Sequence, residues 1–252
     1  MKNNTRRDFI KSSAAIGSFF ILPSGLRAKS PNSKICTAHI GTGGKGRIDT
    51  VYLAKHDNVE VIGLCDVDYA HGKIDTWSKQ FKSATAFQDY REMLAKLDDK
   101  IDAVSISTPD HTHYPATMDA MERGKHIYLQ KPLTHKLKEA RQLAEFAAEK
   151  GLTTQMGIQN QSREAYRLAR HYIQDGLIGK ISKVYVWSFK TWGYDGEPFK
   201  EKSEVPDTLD WNLWLGTAPV HDYASKVYHP GQWRKLLDFG CGTLGDMGIH
   251  IF

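Results

Sequence analysis

Cysteine is scarce: three residues in 252, an odd number too small for a disulfide framework. Cys36 and Cys65 fall inside apolar runs, where a thiol serves as a small buried hydrophobe. Cys241 stands between Gly240 and Gly242, where a structural role is expected rather than a nucleophilic one. Long apolar runs are missing too. The run from Ala14 to Leu22 is too short to cross a bilayer. An excess of charge is almost absent outside the first 28 residues. There Lys2, Arg6, Arg7, Lys11 and Arg27 face Asp8 alone and account for most of the net +5. This leaves no basic footprint for nucleic acid or a membrane surface. A metal cluster is also lacking: His111 and His113 make a His-x-His pair without carboxylates or cysteines around it, so no metal is expected.

What is present begins at Lys34. A short apolar run, Ile35 to Ile40, meets Gly41-Thr-Gly43-Gly44-Lys-Gly46, and a helix-period pattern follows in which Ile48, Val51, Tyr52 and Leu53 make an apolar face. A second run, Val59 to Cys65, stops at Asp66, 20 residues beyond Gly46. Gly41 permits a tight strand-to-helix turn, Gly43 lets backbone approach a pyrophosphate, and Gly46 lets helix and strand pack closely. The helix start offers free N–H groups and a positive dipole end. An acid at the second strand's end accepts hydrogen bonds from a ribose and repels a 2′-phosphate, so NAD is expected in preference to NADP.

From Lys34 to about residue 158, strand and helix patterns alternate, which predicts a doubly wound parallel sheet of α/β class. Strands are expected at Ala84 to Phe87, Ala103 to Thr108, His126 to Lys131 and Thr153 to Ile158. Helices are expected at Tyr90 to Leu97, Pro115 to Arg123 and Lys138 to Lys150. Ligands of such sheets bind at the strands' carboxyl ends. Thr108, Pro109, His111 and His113 follow the fourth strand and suit a cofactor-lining or helix-capping loop. Gln130 and Lys131 end the fifth, where a lysine is either a surface residue or a group that stabilises a developing alkoxide.

The pattern changes near residue 159, where a second domain, 159–252, is expected to begin. Residues 162–175 read as a capped helix with Ala165, Leu168, Ala169, Tyr172 and Ile173 on its apolar face, and 181–189 alternate as a strand. The Trp-rich segment 191–235 suits either sugar stacking or plain loop packing. Near the end, Asp246 and His250 stand one helical turn apart. They are either a cap with a satisfied histidine or an orienting acid with a general base. The chain stops two residues later inside an apparent element, which reads as an incomplete second domain.

Two stretches carry resemblances. Thr5-Arg6-Arg7-Asp8-Phe9-Ile10-Lys11 resembles a twin-arginine (Tat) export signal over residues 1–28, implying a periplasmic or otherwise exported protein that meets the Tat machinery. The ordered set of the glycine loop, Thr108-Pro109-Asp110-His111-Thr112-His113, Lys131-Pro132 and Asp246-x-Gly248-x-His250 resembles the glucose–fructose oxidoreductase / inositol dehydrogenase (Gfo/Idh/MocA) family. That resemblance implies an NAD-binding Rossmann domain (34–158) and an α/β domain with a mostly antiparallel sheet. It implies a homo-oligomer when full length and hydride transfer at a sugar, polyol or glycoside hydroxyl. Catalytic Lys131, Asp246 and His250 are implied beside the cofactor positions Gly41, Gly43, Gly44, Gly46, Asp66, Thr108, Pro109, His111, His113, Gln130 and Lys131. Gln130 replaces the glutamate the resemblance leads one to expect. An alternative within the same resemblance is a glycoside hydrolase that retains NAD and works by transient oxidation and elimination.

Overall fold

Six short runs form one parallel sheet, the inner four carrying its Ile, Val and Leu: β1 Ile35–Ile40, β2 Val59–Cys65, β3 Thr85–Phe87, β4 Ala103–Ile106, β5 His126–Gln130 and β6 Thr154–Gly157. The computed structural model describes residues 34–193 and 202–251, so the basic leader lies outside the described residues. The strand order is β3-β2-β1-β4-β5-β6. This is the doubly wound order whose switch point falls between β1 and β4. Ile40 is level with both Cys65 and Ile106, and Ile106 with Leu129, so the carboxyl ends of four strands frame one crevice.

Helices α1 Gly44–Leu53, α2 Ile74–Gln80, α3 Tyr90–Leu97, α4 Asp110–Glu122 and α5 Leu137–Lys150 cover the sheet. The apolar sides of α3, α4 and α5 meet Ala38, Ile40, Val104, Ile106, Ile127 and Leu129 in the main core, while Ile74 and Trp77 of α2 and Val51 of α1 pack with Val61 and Leu64 in a second cluster. The α3 position matches the expected one, whereas α4 starts five residues before the expected Pro115, directly after Pro109. The His111 backbone N–H finds the Phe239 carbonyl at 3.2 Å, so this first turn is secured from outside its own segment.

The apolar face expected on α1 is not the buried one. Ile48 and Tyr52 are exposed, while Gly46, Asp49 and Thr50 are buried. Each polar member has a partner: Thr50 Oγ1 meets His39 Nδ1 at 3.1 Å, and Asp49 binds residues from two strand ends. A buried polar group that is hydrogen-bonded costs little, so tertiary partners outweigh periodicity here.

Beyond β6 the chain forms α6 Glu164–Gln174, α7 Trp211–Leu215 and α8 Gly242–Ile251. The expected side-chain cap on α6 is absent, and its Leu168, Tyr172 and Ile173 face solvent. The strand expected at 181–189 is a correction: this stretch is irregular and exposed, because no strand among the described residues lies alongside to take its backbone hydrogen bonds. Among the described residues after β6 no strand forms, so the implied antiparallel sheet has no counterpart there.

Residues 203–240 form an aromatic knot instead. Trp214, Trp233, Tyr223, Tyr228 and Phe239 are buried together, and Trp211 stacks on Trp214 with centroids 4.7 Å apart. The knot is stitched to the end of β2. Asp210 N donates to Val67 O (2.9 Å), Tyr69 N to Thr208 O (3.0 Å), and Thr208 Oγ1 to Asp68 Oδ1 (3.0 Å).

Candidate active site

The crevice at the switch point holds a cavity of about 310 Å³. Gly41, Gly43, Gly44, Asp66, Thr108, Pro109, Gln130 and Lys131 line it, together with Trp214, Trp233 and Arg234 from the knot. At the glycine loop, Gly41 has φ +78° and a Cβ there would press on the Ser107 carbonyl. A Cβ on Gly46 would overlap the Gly41 carbonyl oxygen, so Gly46 packs helix against loop and stays behind the cavity wall. A Cβ on Gly43 would strike the His71 ring, which also lines the cavity. No side chain caps α1 and its first turn is free of acid. Its leading N–H groups and dipole end are left for an anion.

Asp66 is buried at the end of β2 and serves the loop itself. Its Oδ2 accepts from the N–H groups of Thr42 (2.9 Å) and Gly43 (3.0 Å), and its Oδ1 from Asp68 N (3.0 Å). Burial raises its pKa, and these N–H groups oppose that rise.

Two of the expected cofactor residues are turned elsewhere. The His113 ring lies between carbonyls, Nδ1 2.7 Å from Pro132 O and Nε2 3.0 Å from Thr108 O. His111 Nε2 meets Trp214 O at 3.0 Å. Burial lowers both rings to about 4, so at neutral pH each is neutral and donates through one nitrogen. Neither lines the cavity. They work as joints, His113 between the ends of β4 and β5 and His111 between α4 and the knot.

At the opposite end, Lys131 Nζ lies 2.8 Å from Asp246 Oδ1 and 2.8 Å from Asp246 O, joining positions 115 residues apart. Arg234 Nε donates to the same Oδ1 at 3.2 Å. The Arg234 guanidinium is flanked by the rings of Trp233 (4.2 Å to centroid) and Trp192 (5.5 Å). His250 follows Asp246 by one turn of α8 and is buried. Burial and the Lys131 charge lower its pKa, while Asp246 opposes them. The imidazole is therefore neutral at pH 7, and its Nδ1 has no hydrogen-bond partner among the described residues. A neutral ring with an open nitrogen beside a lysine ammonium can accept a proton from an alcohol whose oxygen the lysine holds.

Asp110 and Arg234 are not legible in the sequence as site residues. Asp110 lines the cavity, accepts from Cys241 N (3.1 Å), and is pushed up to about 7 by burial. Burial and the Asp110 charge push the Cys241 thiol up to about 12, which suits a structural residue. Arg234 sits in a single 3-10 turn, Gln232–Lys235, too short for period or spacing to mark it.

With this geometry in place, the comparisons with known proteins become specific. Residues 35–158 match the Gfo/Idh/MocA profile for an oxidoreductase family with an NAD-binding Rossmann fold, and residues 165–252 match that family's C-terminal alpha/beta domain.

The chain belongs to the Gfo/Idh/MocA oxidoreductase family.

Among its relatives, a scyllo-inositol 2-dehydrogenase (NAD(+)) of Bacillus subtilis is 34% identical over 140 residues, 54% of this chain and 40% of that protein. A glycosyl hydrolase family 109 protein of Stenotrophomonas maltophilia is 36% identical over 126 residues, 47% of this chain and 28% of its own length. A scyllo-inositol dehydrogenase from Lactobacillus casei, solved with bound NAD(H) and scyllo-inositol, is similar with TM-score 0.54 at 25% identity. That match covers 60% of this chain and 44% of that one. The chain spans half or less of the length of the curated relatives it matches. Residues 35–158 thus form an NAD-binding Rossmann domain, and the glycine-lined crevice with its uncapped helix start fits a dinucleotide.

Proposed function

We propose that this Gfo/Idh/MocA protein is an NAD-dependent dehydrogenase acting on a hydroxyl of a sugar, polyol or glycoside. One observation carries the reading: the Lys131–Asp246 contact at 2.8 Å, with His250 one turn along α8, adjoins the cavity that begins at the glycine loop. Bound NAD supplies the hydride acceptor. Lys131 directs its ammonium at the substrate oxygen and stabilises negative charge developing there. His250 takes the hydroxyl proton. Asp246 keeps Lys131 aimed and favours the imidazolium that results, with Arg234 as its second cation. The NAD-bound scyllo-inositol dehydrogenase among the similar structures supports the substrate class.

The test is reduced-cofactor formation with a panel of inositols, pyranoses and glycosides. Turnover that persists unchanged in both Lys131→Ala and His250→Ala would remove these roles. A second reading is favoured by the family 109 relative: a hydrolase that recycles retained NAD. Aglycone release from an aryl glycoside without net reduced cofactor would select it.

The remaining expectations are part of the same proposal. The Thr5–Lys11 stretch directs Tat export to the periplasm. Replacing Arg6 and Arg7 by Lys should retain the protein in the cytoplasm, and undiminished export would refute it. We read the second domain of the full-length protein as built on a mostly antiparallel sheet, and that protein as a homo-oligomer. The strand content of the full-length protein by circular dichroism and its solution mass test the two.

A further inference from the structure

Behind the cavity wall lies a charge that the scheme above does not use. Asp49, in the middle of α1, is buried and accepts three side-chain hydrogen bonds. Lys45 Nζ donates to Oδ1 at 2.6 Å, and Ser107 Oγ (2.9 Å) and Gln130 Nε2 (2.8 Å) donate to Oδ2. All three donors line the cavity. They come from three different segments: the glycine-loop helix, the end of β4 and the end of β5.

A carboxylate only accepts hydrogen bonds, so the residue at 130 must bring a donor. Glutamine does so, whereas an ionised glutamate would set two buried like charges against each other. With its nitrogen committed to Asp49, the Gln130 amide turns Oε1 toward the Lys131 backbone N–H at 3.3 Å. Gly157 on β6 leaves room for this: a Cβ there would meet the Gln130 amide at 2.5 Å. The amide is thus held on both sides, immediately before the lysine that reaches Asp246.

We propose that Asp49 is a positioning residue for the cofactor and Lys131, acting through Gln130 and Ser107. Asp49 and Gln130 form a matched pair, with the charge on the helix and the amide on the strand. Lys45 balances the charge, and the pair sets the part of the cavity wall from which Lys131 projects. This rests on the cofactor occupying the crevice, and not on the proton roles proposed above.

The experiment is a double-mutant cycle on the full-length protein, read by NADH binding through quenching of tryptophan fluorescence and by melting temperature without cofactor. Gln130→Glu is expected to raise the Kd for NADH about tenfold. Asp49→Asn alone should raise it about threefold. The double variant exchanges the two groups, so that an amide on the helix donates to a carboxylate on the strand. It should return to within about twofold of wild type. Such rescue is what a merely structural loss would not show. Additive losses would overturn the proposal. So would a cycle that couples in melting temperature but leaves the Kd values unmoved, since the pair would then be scaffold only. Should Gln130→Glu not fold, Gln130→Met replaces it. Weaker NADH binding is then expected while Asp49 is retained, with no further loss when Gln130→Met is added to Asp49→Asn. Equal losses in both backgrounds overturn the pairing. Turnover unchanged in both Lys131→Ala and His250→Ala, with the Asp49–Gln130 coupling intact, would count against the Lys131 and His250 roles and leave this inference standing.

Discussion

Two buried carboxylates serve the site, Asp66 in the cavity wall and Asp246 in contact with Lys131 and Arg234 of that wall, and they are held in different ways. Asp66 is fixed by backbone N–H groups, from Thr42 and Gly43 of the neighbouring loop and from Asp68 two residues on. Asp246 is fixed by side-chain cations, one of them 115 residues away across the fold. The first arrangement follows once a strand, a glycine turn and a second parallel strand exist, because the backbone places the donors. The second exists only when α8, the knot and the end of β5 have all docked. Backbone-held chemistry belongs to a motif; cation-held chemistry belongs to an assembled structure.

The comparison can be broken most directly at Lys131. Lys131→Ala should lower turnover about a thousandfold, roughly 4 kcal/mol of barrier, while NADH binding through the glycine loop changes little. An equal loss of both, measured by steady-state rates and fluorescence titration, would show that the two ends are not separable. Next in size is Trp214→Ala, which removes a fully buried ring of the knot and the Nε1 donor to His229 Nδ1. It should cost about 3–5 kcal/mol by denaturant unfolding, and lower turnover more than cofactor affinity.

A third test uses pH. His39, His111 and His113 are lowered by burial from 6.5 to about 4. The unfolded chain therefore binds more protons than the native one between pH 4 and 6.5. Stability from these rings is complete above pH 6.5 and is lost as pH falls through that window, by roughly 3 kcal/mol for each ring. Asp110 acts in the opposite sense. Its native pKa of about 7 lies above the ordinary 3.8, so its contribution is present at low pH and fades as pH rises toward 7. Melting temperature should consequently rise from pH 4 to 6.5, more shallowly in His113→Asn and more steeply in Asp110→Asn. The smallest effect is expected from Tyr166→Phe, which removes the 3.3 Å bond from the half-exposed hydroxyl to the His250 carbonyl. A change of about 0.5 kcal/mol in stability, with turnover nearly intact, would keep α6 outside the chemistry.

Much of the sheet is legible in the sequence because its cause is local. Apolar runs bounded by Gly, Pro and Asp predict strands within one or two residues of those observed, and the glycine spacing locates the turn above β1. The buried face of α1 escapes such a reading, since Asp49 and Thr50 look like surface residues until Gln130, Ser107 and His39 are seen to meet them. Position after β4 makes His111 and His113 look cofactor-lining. Their rings instead meet carbonyls from Trp214, Pro132 and Thr108. Arg234 leaves no trace in periodicity, as its place depends on two Trp rings and a carboxylate from other segments.

What the amino-acid order determined by itself is the parallel α/β frame, the glycine turn and the acid that closes it. Those features arise from φ freedom, strand alternation and backbone donors close to one another along the chain. What only the tertiary structure decided is the meeting of Lys131, Arg234, Asp246 and His250, and the use of Asp49 as the anchor behind them. Charged groups so far apart in sequence are brought together when burial removes water and leaves each the other as its partner, and no local pattern records that choice.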